Sequence, residues 1–227
     1  IMPKSKRKKQ RIYLTETQKK TREAKTKIVA NIQECLSKYT YIWRIKPEDM
    51  RNVYLQQVRI DWKDKGRLFF AKNKIIIKAL GSNEQDEQAL NLSKFSEELV
   101  GNGGILFTNE DVNDVRSYFS KTQFYDYARA GGFVDKDIII PAGKIRYQNT
   151  GEYVIPTQKP ILESLGMPVK LEQGLLALDQ DYTICKYGDQ LTVEQAHMLK
   201  QLMFKLAIFR LIPTHYYDKT TNQVIEV

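Results

Sequence analysis

Residues 68–81 read Leu68-Phe69-Phe70-Ala71-Lys72-Asn73-Lys74-Ile75-Ile76-Ile77-Lys78-Ala79-Leu80-Gly81. Three large apolar residues in succession fit a strand. The segment from Asn73 fits a short helix ending at Gly81, where the missing side chain permits a left-handed C-cap. A strand that turns at once into a helix is the unit of a layered α/β fold. One such unit lies upstream. There Tyr41, Ile42, Trp43, Arg44 and Ile45 read as a strand stopped by Pro47, and Met50, Val53, Tyr54 and Val58 mark a helix closed near Gly66. Downstream, Ala89, Leu92, Phe95 and Leu99 give an amphipathic helix. Gly101, Gly103 and Gly104 then lead into a strand over 105–107, and Thr108 or Asn109 can cap a helix through Phe119.

At the N-terminal side, Thr15 and Gln18 have capping-box spacing, and Ile28, Ile32, Cys35, Leu36 and Tyr39 recur at helical intervals, which predicts a first helix over 16–38. The alternation breaks at 121–188, where prolines and glycines concentrate and helical periodicity fades. Thr192 with Gln195 repeats the capping-box spacing, and a last strand near 211–217 can rejoin the sheet. The expected organisation is therefore α/β: a basic arm at 1–15, a domain with a mixed sheet and packed helices at 16–120 and 189–220, a smaller, mostly β inserted domain at 121–188, and a tail at 221–227.

The formal charge of +9 is not spread evenly. Residues 1–27 hold eleven basic side chains against Glu16 and Glu23, and the other 200 residues carry 25 of each sign. A basic arm on a neutral body is the footprint of a polyanion binder, because neutralising phosphates releases counterions whatever the base sequence. The same cluster can also act as a nuclear-import or solubilising tail. No apolar run approaches the roughly 20 residues of a membrane span, and the N-terminus lacks the apolar core of a secretory signal. Cys35 and Cys185 read as reduced thiols.

Chemistry-bearing constellations are scarce. His197, His215 and the two cysteines lack metal-ligand spacing, and neither a nucleophile elbow nor a phosphate-binding P-loop is present. No catalytic residue, metal or cofactor is expected. The strand-to-helix corner at Lys72, Asn73 and Lys74 differs, since the first N–H groups of a helix attract phosphate and two lysines add charge. Arg51 and Asn52 hold the analogous corner one unit earlier. The candidate RNA-binding residues are Lys4, Lys6, Arg7, Lys8, Lys9 and Arg11 of the arm, Lys19, Lys20 and Arg22 of the first helix, Arg51, Asn52 and Arg59 of the second, and Lys72, Asn73, Lys74 and Lys78 of the third, forming one continuous surface.

These residues carry a resemblance. Met2-Pro3-Lys4-Ser5-Lys6-Arg7, Phe69-Phe70-Ala71-Lys72-Asn73-Lys74, Ala79-Leu80-Gly81, Gly104-Ile105-Leu106-Phe107-Thr108-Asn109, Asp126-Tyr127-Ala128-Arg129-Ala130-Gly131, Leu165-Gly166-Met167-Pro168 and Asp181-Tyr182-Thr183-Ile184-Cys185-Lys186, with Leu191-Thr192 and Glu194-Gln195-Ala196, resemble in order the family of the ribosomal stalk-base protein and its assembly-factor paralogue. The resemblance implies an L10-like α/β RNA-binding domain interrupted by a second domain. It also implies binding to large-subunit rRNA at the base of the future stalk in a nuclear or nucleolar precursor, with shuttling to the cytoplasm on pre-ribosomal particles as a further option, until the mature stalk-base protein takes over. Implied partners are pre-ribosomal particle proteins, including neighbouring stalk-base ribosomal proteins, and a release factor. The short stretch after Tyr217 leaves no place for helices that hold acidic stalk dimers, which favours the assembly factor over the stalk-base protein itself; an RNA-processing enzyme is the reading from another class. Ala71 departs from the glycine usual in the family's Gly-Lys-Asn segment, which matters if that position needs positive φ.

Overall fold

The structure is a computed structural model and describes residues 21–227. Helix α1 (Arg22–Lys38) opens where the Thr21 hydroxyl accepts a hydrogen bond from the Ala24 N–H, so among the described residues its start is Arg22; the Thr15–Gln18 capping box lies outside them. There follow β1 (Tyr41–Glu48), α2 (Asn52–Asp61), β2 (Gly66–Phe69), α3 (Asn73–Leu80), α4 (Leu92–Glu97), β3 (Gly104–Thr108), α5 (Val112–Lys121) and β4 (Gln123–Asp126). The second unit carries β5 (Ile138–Ile140), β6 (Gly143–Lys144), a 3-10 turn (Pro156–Gln158), α6 (Lys159–Ser164), β7 (Lys170–Glu172), β8 (Leu175–Leu178), β9 (Tyr182–Cys185) and α7 (Val193–Gln201). Strands β10 (Ala207–Asp218) and β11 (Gln223–Glu226) complete the described elements.

The main sheet runs β11-β10-β1-β3-β2, with β4 also paired to β10. Each of its pairs is antiparallel, where the alternating pattern suggested mixed directions. The reason is that β3 lies between β1 and β2, which run the same way without touching. Alternate residues of the strands face two helical layers. Ile42, Ile105, Phe107 and Tyr217 pack with Ile32, Leu36, Ile76, Leu80 and Phe95 of α1, α3 and α4. Trp43, Ile45, Leu68, Leu106 and Phe209 pack on the other side with Leu55 and Val58 of α2 and with Val115 and Phe119 of α5.

Several local expectations are corrected. Pro47 does not end β1; it pairs with Leu211 beyond Ile45, the last residue that β3 covers, so on that side its missing N–H breaks no ladder. Gly66 does not close α2 but opens β2, and a Cβ there would stand 2.4 Å from the Phe107 carbonyl oxygen. Gly81 caps α3 with φ +116° and ψ +136°, outside the left-handed helical region, and Cβ at that position would meet the backbone of Glu87. The helix expected around 89–99 is only α4, and α5 is capped by Asp111, whose carboxylate accepts the Asn113 N–H at 3.1 Å.

The domain boundaries also move. Gln123–Asp126 belongs to the main sheet as β4, so the departure falls after 126 and not at 121. Helix α7, placed by its periodicity in the main domain, packs instead in the second core: Met198, Leu199 and Leu202 join Val134, Ile138, Ile145, Leu162 and Leu176. Its capping box at Thr192 and Gln195 forms as expected, with Gln195 also donating to the Ile184 carbonyl. The 221–227 tail contains β11, bonded to β10 from His215 to Asp218.

Glu87 ties down the start of α4. Its carboxylate accepts from the Ser93 N–H and hydroxyl at 3.1 and 2.9 Å and from the Asn91 N–H at 3.1 Å. These bonds, the Ser93 backbone N–H first, hold its carboxyl below the ordinary glutamate value of 4.5. A carboxyl depressed in the folded state stabilises above its unfolded pKa and loses that contribution as pH falls through the folded value. Glu87→Gln should therefore lower the thermal midpoint at pH 7, and the gap from wild type should close as the pH drops below 4.5; a gap independent of pH would contradict the charge-assisted bonds.

Candidate nucleic-acid interface

Strands β1 and β2 run in the same direction, so the loops leaving them emerge at one end of the sheet. Both corners singled out from sequence lie at that end, but their helices diverge: α3 joins α1 in one layer and α2 enters the opposite layer. The expected single surface therefore splits. Arg22, Lys72, Lys74 and Lys78 are exposed in the α1/α3 layer, while Asn52 and Arg59 are exposed on α2, across the sheet. Lys4, Lys6, Arg7, Lys8, Lys9, Arg11, Lys19 and Lys20 lie outside the described residues.

At the α3 corner, Lys72 is the N-cap residue and makes no side-chain capping bond. Among the described residues no other side chain caps the first N–H groups of α3, which open beside two exposed lysines, so helix dipole and charge both favour an anion there. Ala71 lacks positive φ and packs against the core of this layer, so the alanine sits there unstrained. Gly104 brings β3 close to the same corner. Cβ at that position would stand 2.6 Å from the Phe69 carbonyl oxygen and 2.9 Å from the Phe70 ring.

Two predicted contacts have structural tasks instead. Asn73 spends its amide hydrogens on backbone, donating to the Leu99 and Gly101 carbonyls at 2.7 and 2.8 Å, and so ties the glycine loop to the corner. Arg51 is 8% exposed. Its Nε donates to Asp126 Oδ2 at 2.8 Å and its Nη2 to the Tyr127 carbonyl at 2.6 Å, with Met50 O within 3.3 Å of Nη1. The guanidinium thus fastens the start of α2 to the point where the chain leaves β4, and each of its nitrogens is engaged within the fold.

Arg67 was not singled out by sequence reasoning. It shares a strand face with Phe69, lies over that ring at 5.2 Å and is exposed on the edge strand of the α1/α3 layer, as are Lys25 and Lys27 on α1. The signal available was period-two alternation through 66–69, which puts Arg67 and Phe69 on one face.

Among the described residues no group of three or more His, Cys, Asp or Glu side chains is arranged to hold a metal. His197 is exposed and bonds Gln201 at 2.9 Å; His215 lies 3.5 Å from Glu98. Cys35 and Cys185 are free and buried, and burial raises both thiol pKa values, which keeps them protonated. No described helix is long and apolar enough to cross a membrane.

The sheet with a helical layer on each face, broken after β4 by a unit with its own core, is the architecture of the L10 class of ribosomal proteins. Residues 20–123 match the family described as Ribosomal protein L10, and residues 128–204 match the insertion domain described for the 60S ribosomal protein of that class. The ribosome assembly factor mrt4 of Neurospora crassa is 38% identical, with 100% of this chain and 94% of that protein aligned. Those of Schizosaccharomyces pombe and Saccharomyces cerevisiae are 36% and 34% identical, over 96% and 98% of this chain and 92% and 97% of theirs. The chain belongs to the mrt4 family of ribosome assembly factors.

Arg51 separates the sequence-based assignment from the structural one. Removing a part-buried guanidinium strands the Asp126 carboxylate, so Arg51→Ala should destabilise the fold by roughly 3 kcal/mol in urea unfolding. At temperatures where the variant remains folded, rRNA affinity should be unchanged. An affinity loss without a stability loss would restore Arg51 to the interface.

Proposed function

We propose that this chain binds large-subunit rRNA at the base of the future stalk in nucleolar and nuclear pre-ribosomal particles, and that the mature stalk-base protein later replaces it there. The observation that carries the reading is the α1/α3 layer, which presents Arg22, Lys25, Lys27, Arg67, Lys72, Lys74 and Lys78 on one side of the sheet, next to a helix N-terminus that no described side chain caps. Such a surface binds phosphates and positions RNA. The role is binding and not catalysis. Its neighbours are rRNA and pre-ribosomal particle proteins beside the stalk base, a release factor frees it, and shuttling would take it to the cytoplasm on the particle.

Two L10-type sheets reading one rRNA surface exclude each other, so the chain and the mature stalk-base protein compete. Separating nuclear precursors, mature subunits and polysomes should place this chain on precursors only, on particles that lack the acidic stalk proteins; stoichiometric presence in translating polysomes refutes the reading. The phosphate corner has its own measurement. Lys72→Ala with Lys74→Ala should weaken binding to the rRNA and flatten the log K against log salt slope by roughly 1.5, as expected for two lost phosphate contacts. The thermal midpoint should stay near wild type, because both side chains are exposed. An unaltered slope removes these lysines from the interface.

A further inference from the structure

The second unit has a surface unlike the basic layer. Residues 133–140 and 182–190 form a ribbon: Phe133 bridges Gln190, the Val134 N–H donates to the Asp189 carbonyl at 3.1 Å, and β5 pairs with β9. Val134, Ile138 and Ile140 point into the core. Phe133 and Ile139, of opposite parity, are left outward at 78% and 51% exposure, and Tyr187 on the facing segment is 74% exposed. The backbone N–H of Tyr187 donates to Asp137 Oδ1 at 2.7 Å, which places that side chain's base beside the first segment. Two aromatics and an isoleucine held in water on one short ribbon mark an interaction surface, since aromatic residues are the usual anchors of protein interfaces.

The charge around them selects the kind of partner. Asp135, Asp137 and Asp189 border the three apolar side chains, against Lys136 and Lys186 alone in the ribbon, and none of the three aspartates is in an ion pair among the described residues. Within the ribbon the three carboxylates outnumber the two ammonium groups, a local balance that favours a basic partner over a polyanion; the cleft that Phe133 and Asp135 also line holds Arg129 and Arg210. The aspartates do not act as spare metal ligands. Asp137 and Asp189, both exposed, each accept a backbone N–H through one carboxylate oxygen, from Tyr187 and Lys186.

We propose that the outer face of the β5–β9 ribbon, with Phe133, Ile139 and Tyr187 exposed between Asp135, Asp137 and Asp189, docks a lysine- or arginine-rich, partly apolar segment of another protein of the particle. The inference rests on the assembly-factor reading, because that reading supplies a particle rich in basic proteins. It divides the labour between the units: the main sheet holds RNA and the inserted unit holds protein.

The test uses the full chain in purified precursor particles, with a photoreactive side chain at position 187 and, separately, a carbodiimide that joins carboxylates to amines at zero length. The expected result is photocrosslinking to protein, with Asp135 or Asp137 coupled to lysines of that same protein. Phe133→Ala with Tyr187→Ala should reduce the carbodiimide crosslink at least about tenfold, the effect of losing two aromatic anchors. Both side chains are exposed, so the variant should keep the wild-type thermal midpoint and its affinity for isolated rRNA. Crosslinks from position 187 to RNA alone overturn the proposal, as does absence of any crosslink while the wild-type chain is bound in the particle, or an unchanged crosslink in the variant. Failure of the wild-type chain to enter precursor particles is read first and separately, and it overturns the assembly reading on which the proposal rests.

Discussion

Ala207 pairs with Asp126, and that pairing governs the architecture. A unit with its own core can be inserted into a sheet without breaking it only if its two ends leave and return side by side. Strands β4 and β10 satisfy this by running antiparallel in register from Asp126–Ala207 to Gln123–Arg210. Beyond the junction β10 continues along nearly the whole of β1, then holds β11, so twelve residues that follow the insertion tie together much of the main sheet. Arg51 secures the same junction from the side by grasping Asp126 and the Tyr127 carbonyl. A buried arginine here trades its solvation for a carboxylate and backbone carbonyls at one spot, where it holds the geometry of the junction.

The fold then sorts charge by layer. One helical layer places lysines and arginines beside the first turn of α3, and the other turns Asn52, Arg59 and the exposed Val53 and Ile60 to the opposite side. The inserted unit shows apolar and acidic side chains on its outer ribbon. A chain whose described body is close to neutral in this way carries faces of unlike charge. Net charge alone describes such a protein poorly.

Much of this is legible in the linear sequence. The strand-to-helix corner at 69–73, the helix of 73–80, the capping box at Thr192 and the return of a strand after the insertion all follow from local rules: period-two and period-3.6 burial, cap chemistry and the conformational freedom of glycine. The concentration of basic residues at the start of the chain, and the motif order that carries the family resemblance, are likewise properties of the linear sequence. Each depends on residues a few positions apart, so no knowledge of the far contacts is needed.

What required the tertiary structure were the relations across long separations. Arg51 and Lys72 occupy equivalent corners in sequence, yet one guanidinium closes on Asp126, 75 positions away, while the lysine stays in water. Asn73 has the composition of a phosphate ligand and serves to hold the carbonyls of Leu99 and Gly101. Helix α7 carries an apolar stripe that fits either core, and only the seating of Met198 and Leu199 against the inserted strands assigns it. Periodicity says that a face is buried but not against what, and charge says that a side chain wants a partner but not which one. Those choices belong to the contacts that form when β4, β10 and β1 come into register.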